Sequence, residues 1–340
     1  MTAEHSGYPA PAFRMVVDGR DITPTVDARL ISMTLTEARS GEADQLDIEL
    51  SDHDGALAIP SKDALITLAL GWKGQALVDK GSFVVDEVEH SGAPDRLSIK
   101  ARSADMQRDM RKRVEKSWHD TTLGAVVGEI AAKHGLTPRI GAELAGVKVD
   151  HIDQTHESDL HFLTRLARQH DATANVKAKH LVVLPINSAT TAGGKALASA
   201  SIQREDGDQH RYHSADRNAY TGVRANWQDP QTAEKRSVLV GGEEREKRLK
   251  DTYGSEADAL AAARSERQRV ERGKATFELT LAYGRPELMP QTPVSVSGFK
   301  PEIDSTEWQV VKVTHSLGDQ GFTTRLEMET KGAKQDDKKD

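Results

Sequence analysis

The sequence predicts an α+β, mainly β protein in which two barrel-like β domains flank an α/β insert. Three observations predict it. Apolar and polar residues alternate through residues 13–104 and again beyond residue 275, the period-two mark of strands with one buried face. Between these regions the apolar spacing changes to steps of three and four at 122–134 and 158–169, which is helical. Turn dipeptides punctuate the first region at Asp18-Gly19, Ser40-Gly41, Asp54-Gly55 and Ser91-Gly92, as short antiparallel strands require.

Taken in order, residues 1–12 are polar with prolines near their end and read as a flexible arm. Residues 13–108 form the first barrel-like domain. Ile31, Met33 and Leu35 alternate with Ser and Thr; Leu46, Ile48 and Leu50 alternate with Asp and Glu; Ile66, Leu68, Leu70, Phe83, Val85, Leu97 and Ile99 continue the inward set. Residues 109–200 form the α/β middle domain. Its first helix places Leu123, Val126, Val127, Ile130 and Ala131 on one face and stops at Gly135. Its second starts at Ser158, an N-cap residue followed by Asp159, and carries a stripe of Leu160, Leu163, Leu166 and Ala167. A strand pair over 174–176 and 181–184 follows, then an Ala/Thr/Gly/Ser-rich linker over 188–201. Residues 201–330 form the second barrel-like domain, with strands near 220–227, 238–240, 277–281, 294–296, 308–311 and 326–328 and one helix over 256–271. Residues 331–340 are charged and read as a disordered tail. No tight repeat links the two strand regions.

Composition narrows the function. Apolar residues make up 37% and charged residues 29% of 340 positions, enough for two or three domains with modest cores. The formal charge of −7 is opposite in sign to a DNA-gripping groove. With no cysteine, disulfides, thiolate chemistry and Cys-ligated zinc are ruled out. The first residues lack a basic start and apolar core, and no run approaches the roughly 20 apolar residues of a membrane helix. The expectation is a soluble protein made in a cytoplasm, without membrane insertion.

No catalytic, cofactor or metal site is expected. Gly194-Lys195 resembles the end of a phosphate loop, but Ala189 stands where the first glycine belongs and Ala196 where the hydroxyl belongs. His151, His156 and His161 recur every five residues, which misses the helical face spacing of metal ligands. His210 and His213 are three apart, on opposite faces of a strand. Asp47 and Glu49 share one strand face, as a solvated face does, the adjacent pairs Asp86/Glu87 and Glu205/Asp206 point opposite ways, and nothing marks any pair as a raised-pKa acid in a pocket. Arg111, Lys112, Arg113 and Lys116 form a basic run. Arg264, Arg267, Arg269 and Arg272 stud the late helix with Glu266 and Glu271 between them, a salt-bridged surface suited to a subunit interface.

Specific segments then carry a resemblance. The opening FRMVVDGRDITPTVDARLISMTLTEARSGEADQLDIELSD, with LGWKG and GSFVVDEVEHSG, resembles the late control D family of contractile-tailed phages. THESDLHFLTRLARQHDA is similar to a helix signature shared with the VgrG proteins of type VI secretion, and WQVVKVTHSLGDQGFTTRLEME to the closing strands of that superfamily. The resemblance spans 13–330. It implies a phage tail hub/VgrG-like fold and a non-enzymatic baseplate hub in the virion tail, assembled in the host cytoplasm. It further implies a homotrimer binding a tail tube protein and a tail spike protein. A tape-measure protein and DNA would occupy the lumen, the DNA without specific binding. Hubs of tailocins or type VI-like injection devices share that implied fold; a tail-tip cell-wall hydrolase is the enzymatic alternative. Mapped onto this chain, Leu70, Gly71 and Trp72 read as a strand end with a buried aromatic. Ser158, Asp159, Phe162, Leu163, Arg165 and Leu166 read as a capped, packed helix. Trp308, His315, Gly321 and Phe322 read as a closing hairpin, with His315 a hydrogen-bonded structural residue.

Overall fold

Alternation decides the first strand set: β1 (Pro11–Val17), β2 (Arg20–Asp21), β3 (Leu30–Ala38), β4 (Gln45–Ser51), β5 (Leu65–Trp72), β6 (Val78–Ser91) and β7 (Arg96–Ser103). A short helix, α1 (Thr23–Asp27), lies between β2 and β3. Every second side chain of β3, β4, β5 and β7 turns inward, so Met33, Leu35, Leu46, Ile48, Leu50, Ile66, Leu68 and Leu97 make one core with Met15 and Phe83. The structure, a computed structural model, describes residues 9–39, 43–104, 108–177, 179–188, 195–215, 220–229 and 231–332. The Ser40-Gly41 turn, Ala189, Gly194 and the greater part of both terminal segments lie outside the described residues.

The middle block contains β8 (Arg113–Thr122), α2 (Leu123–Lys133), β9 (Thr137–Ile140), α3 (Ala142–Ala145), β10 (Lys148–Ser158), α4 (Asp159–Gln169), β11 (Ala172–Lys177) and β12 (His180–Pro185). Both long helices begin where their caps dictate. The Thr122 hydroxyl accepts from Ala125 N at 3.2 Å and the Ser158 hydroxyl accepts from His161 N at 3.2 Å. Their apolar stripes face β11 and β12 around one core. Phe162 is fully buried and stacks on Trp118 of β8, with centroids 6.1 Å apart. The ribbon β8–β10 was not expected from the sequence. It is polar on its outer face, and Trp118, Ile152 and Val149 give too few apolar positions to announce a strand.

The last set contains β13 (Ala200–Gln203), β14 (Gly207–Ser214), β15 (Gly222–Gln228), β16 (Lys235–Gly241), β17 (Glu246–Tyr253), α5 (Glu256–Arg272), β18 (Ala275–Leu281), β19 (Pro293–Ser297), α6 (Pro301–Asp304), β20 (Trp308–Gly318) and β21 (Gly321–Thr330). It has two cores. Phe277, Leu279, Leu281, Val294, Val296, Trp308, Val310, Leu326 and Met328 pack between β18–β21. Separately, β16-β15-β17 covers α5 through Val223, Ala225, Ala259 and Ala263.

The two strand regions are not independent sheets. β20 pairs antiparallel with β3, from Lys312 opposite Ala38 to Gly318 opposite Ser32. The hydrogen-bonded order therefore runs β14-β18-β21-β20-β3-β4-β7-β6-β5-β1-β2 in a 13-stranded sheet, with β19 and β13 attached beside β20. This path is open at both ends, so among the described residues no strand pair closes either barrel-like half. No described helix is long and apolar enough to cross a membrane.

Candidate functional site

Where β3 and β20 meet, the first, middle and last strand sets converge on a buried charged cluster. Pairing fixes Glu37 of β3 opposite Val313, two residues from His315. Lys80 of β6 reaches the Glu37 carboxylate at 2.5 Å, with both side chains almost wholly buried at 3% and 6% exposure. The Lys80 ammonium also donates to the Pro286 carbonyl at 3.1 Å. Lys177, in the β11–β12 hairpin of the middle block, lies 3.8 Å from Glu37 and 3.9 Å from Asp44. His315 sits 3.5 Å from Glu37 through Nε2. Its Nδ1 is 2.9 Å from the Thr324 hydroxyl, which accepts from Arg285 N at 2.9 Å. The hydroxyl proton is free to point at Nδ1, and the carboxylate beside Nε2 favours a neutral His315 with its hydrogen on Nε2.

The protonation states follow from burial against charge. Burial alone pushes the Glu37 carboxyl up, but the His315 hydrogen bond and the Lys80 and Lys177 charges outweigh it and bring it down to about 2. Burial pushes the His315 imidazole below its usual value, against the pull of Glu37. Asp44 goes the other way: burial raises its carboxyl to about 6 despite Lys177, and the negative Glu37 adds to the rise.

Asp44 thus gives a signed prediction. A carboxyl whose folded value exceeds its unfolded value binds more protons when folded, so its contribution is best below pH 4 and worsens as pH rises to about 6. Asp44→Asn is expected to raise stability at pH 7.5 by about 1–3 kcal/mol and to gain almost nothing at pH 4. Urea denaturation at the two pH values measures this.

The joint continues on either side. The Trp72 indole donates to the Gly284 carbonyl at 2.9 Å and packs on Tyr283 and Phe322, at 5.9 and 5.4 Å between centroids. Trp72, expected as a buried aromatic at a strand end, is a half-buried bridge to the last strand set. Gly284 admits this contact because a Cβ there would lie 2.5 Å from the Phe322 ring. Toward α5, Arg272 is 1% exposed and grips Asp171 with two hydrogen bonds of 2.6 and 2.5 Å. It also lies 3.1 Å from Glu329, which pairs in turn with Arg39. The Asn175 amide donates to the Arg39 carbonyl at 2.6 Å, and the Ser265 hydroxyl to the Arg168 carbonyl at 2.6 Å. The surface reading of α5 is thus corrected. Arg264 is exposed, Arg267 donates to the Thr221 carbonyl at 2.6 Å and Arg269 pairs with Glu266, but Arg272 lies inside.

The other residues singled out in the sequence do not converge. His156 pairs with Glu115 and His161 with Glu157, while His151 meets His119. His210 packs edge-on against Phe277 and Phe299, and His213 is exposed. Glu49, Asp86 and Glu87 face Arg96, Arg102 and Lys100; Asp47 accepts from Gln45; Asp206 caps a turn through Gln203 N, next to Glu205. Arg111 and Arg113 are exposed beside Lys112, while Lys116 covers the Trp118 ring at 3.7 Å and pairs with Glu129. The signature helix is occupied by packing: Asp159 is buried against Lys133, His134 and Gln154 at 2.7–2.9 Å, and Arg165 forks onto Glu157. In the closing hairpin, Trp308 is buried and donates to the Ile303 carbonyl at 3.0 Å, and Gly321 takes φ +84° beyond a two-residue turn. Among the described residues no three His, Asp or Glu side chains are placed to hold a metal. The chemistry available at the joint is ion pairing that holds strand sets in register.

Known proteins resemble this chain in sequence and in fold. The sequence pattern described as phage tail baseplate hub (GPD) matches residues 37–321. The chain is 43% identical to the probable baseplate hub protein of Escherichia phage 186, over 97% of this chain and 96% of that one. Its fold is similar to the 43 kDa tail protein of prophage MuSo2 from Shewanella oneidensis, with a TM-score of 0.70 at 16% identity over 95% and 99% of the two chains. It is also similar to an E. coli component of the type VI secretion system that itself resembles the T4 tail proteins gp27 and gp5. There the TM-score is 0.54 at 13% identity, over 89% and 73% of the chains. A match over most of the length in sequence, with the same fold in tail proteins, places this chain in the phage tail baseplate hub family.

Proposed function

We propose that this baseplate hub protein works as a homotrimeric, non-enzymatic adaptor between a sixfold tail tube and a threefold spike. The observation that carries the reading is the β3–β20 pairing, which fixes two strand sets of one chain on a single sheet. Three such chains carry six strand sets, which suits a sixfold neighbour on one side and a threefold neighbour on the other. The division into a first β domain at 13–108, a middle domain at 109–200 and a second β domain at 201–330 belongs to this proposal. So do a tail tube protein, a tail spike protein and a tape-measure protein as partners, with DNA passing unbound through the lumen. The net charge of −7 supports passage without adhesion. Glu49 and Asp86 pair with Arg96 and Arg102, and Asp47 accepts from Gln45, which supports a structural use of these carboxylates.

Native mass spectrometry of the purified chain is expected to give a trimer at micromolar concentration. A chain that stays monomeric, also with spike protein present, overturns the proposal.

A further inference from the structure

On the outer face of the β8–β10 ribbon, His119 and His151 stand directly opposite each other in register. Their Nδ1 atoms are 3.0 Å apart and their rings are stacked with centroids at 4.6 Å. Two residue pairs along, and so on the same face, Ser117 stands opposite Asp153. The Asp153 carboxylate lies 3.2 Å from Nε2 of His151 and accepts from the Ser117 hydroxyl at 2.6 Å. This fixes the tautomer of His151. Its Nε2 hydrogen points at Asp153, and its Nδ1 lone pair points at His119.

We propose that this pair is a chelating site for one divalent transition-metal ion that prefers cis nitrogen ligands, of the Ni2+ or Cu2+ class. Metal–imidazole bonds of about 2.0–2.1 Å across a 3.0 Å gap subtend roughly 94° at the metal. That matches adjacent positions of a square-planar or octahedral ion, and a tetrahedral zinc site would need the nitrogens roughly 0.3 Å further apart. Without metal, His119 Nδ1 carries the hydrogen that bridges the pair. On binding, that hydrogen leaves Nδ1 and His119 takes one from solvent at its own Nε2, so no net proton is released at neutral pH. Asp153 orients His151 as a carboxylate orients a metal-bound histidine. Water fills the remaining positions, because no third protein ligand converges there among the described residues. The ion clips two strands whose polar outer face does little to fix their register.

The test is calorimetric titration of Ni2+ into the full chain at pH 7.5, with Zn2+ and Mg2+ in parallel. One Ni2+ per chain at micromolar affinity is expected, with weaker Zn2+ and no Mg2+ binding. His119→Ala and His151→Ala should each abolish that event. Asp153→Asn should weaken it about tenfold, and His156→Ala should leave it intact. All four positions are exposed, and unchanged thermal unfolding of the metal-free variants checks their folding. Absence of saturable Ni2+ binding below millimolar, or binding that survives His119→Ala with His151→Ala, overturns the proposal.

Discussion

Lys80→Met is expected to lower unfolding free energy by about 3–5 kcal/mol at pH 7.5, far more than a surface lysine would. The reason is what remains. Glu37 keeps its place at the β3–β20 pairing, only 6% exposed, and loses the cation at 2.5 Å. Lys177 at 3.8 Å is half exposed and cannot replace it. With the main opposing charge gone, burial dominates and the Glu37 carboxyl rises, so protonation relieves the penalty and the deficit shrinks as pH falls toward 5. Adding Glu37→Gln should recover most of the loss, because an amide keeps the His315 contact without a charge to bury. A denaturation cycle over wild type, the two single variants and the double variant measures this. A Lys80→Met effect below about 1 kcal/mol would mean that water reaches Glu37 and that the joint is not sealed.

Arg272→Met is the second large effect, about 3–4 kcal/mol, since its removal strands Asp171 and leaves Glu329 with Arg39 alone. Arg272→Lys is expected to lose about 2 kcal/mol, because an ammonium cannot reproduce the forked contact to Asp171. The location of the loss is as informative as its size. Arg272 ends α5, so hydrogen exchange should speed up first in α5 and the β15–β17 sheet it packs against, and in the Asp171 turn. The β3–β4–β7 strands should keep their protection.

The sequence made the cores legible and the joints illegible, for one physical reason. Burial of one face imposes a period, and a period survives in a single sequence. Met33, Leu35, Ile48 and Leu68 were readable as inward, and Ser158 as a cap, because each answers a local rule. The contact between Arg39 and Glu329 spans nearly the whole chain, and no spacing rule joins positions that far apart. Arg272 looks like its neighbours on a helix of alternating Arg and Glu; only the packing of β21 and the Asp171 turn puts it inside. The β3–β20 pairing is equally silent, since both strands alternate as any half-buried strand does. His119 and His151 meet through the register of a polar ribbon, which hydrophobic pattern does not specify. Such joints set the relative placement of the strand sets, and in the proposed trimer that placement is what tube and spike would meet.

Electron cryo-microscopy of assembled tails, focused on the layer between tube and spike without imposed symmetry, tests that claim most directly. The account predicts three copies of the chain, with the strand sets around β4–β7 and β18–β21 alternating at six near-equivalent positions about the lumen. Six copies, or three copies with only one of the two sets facing the axis, would contradict it.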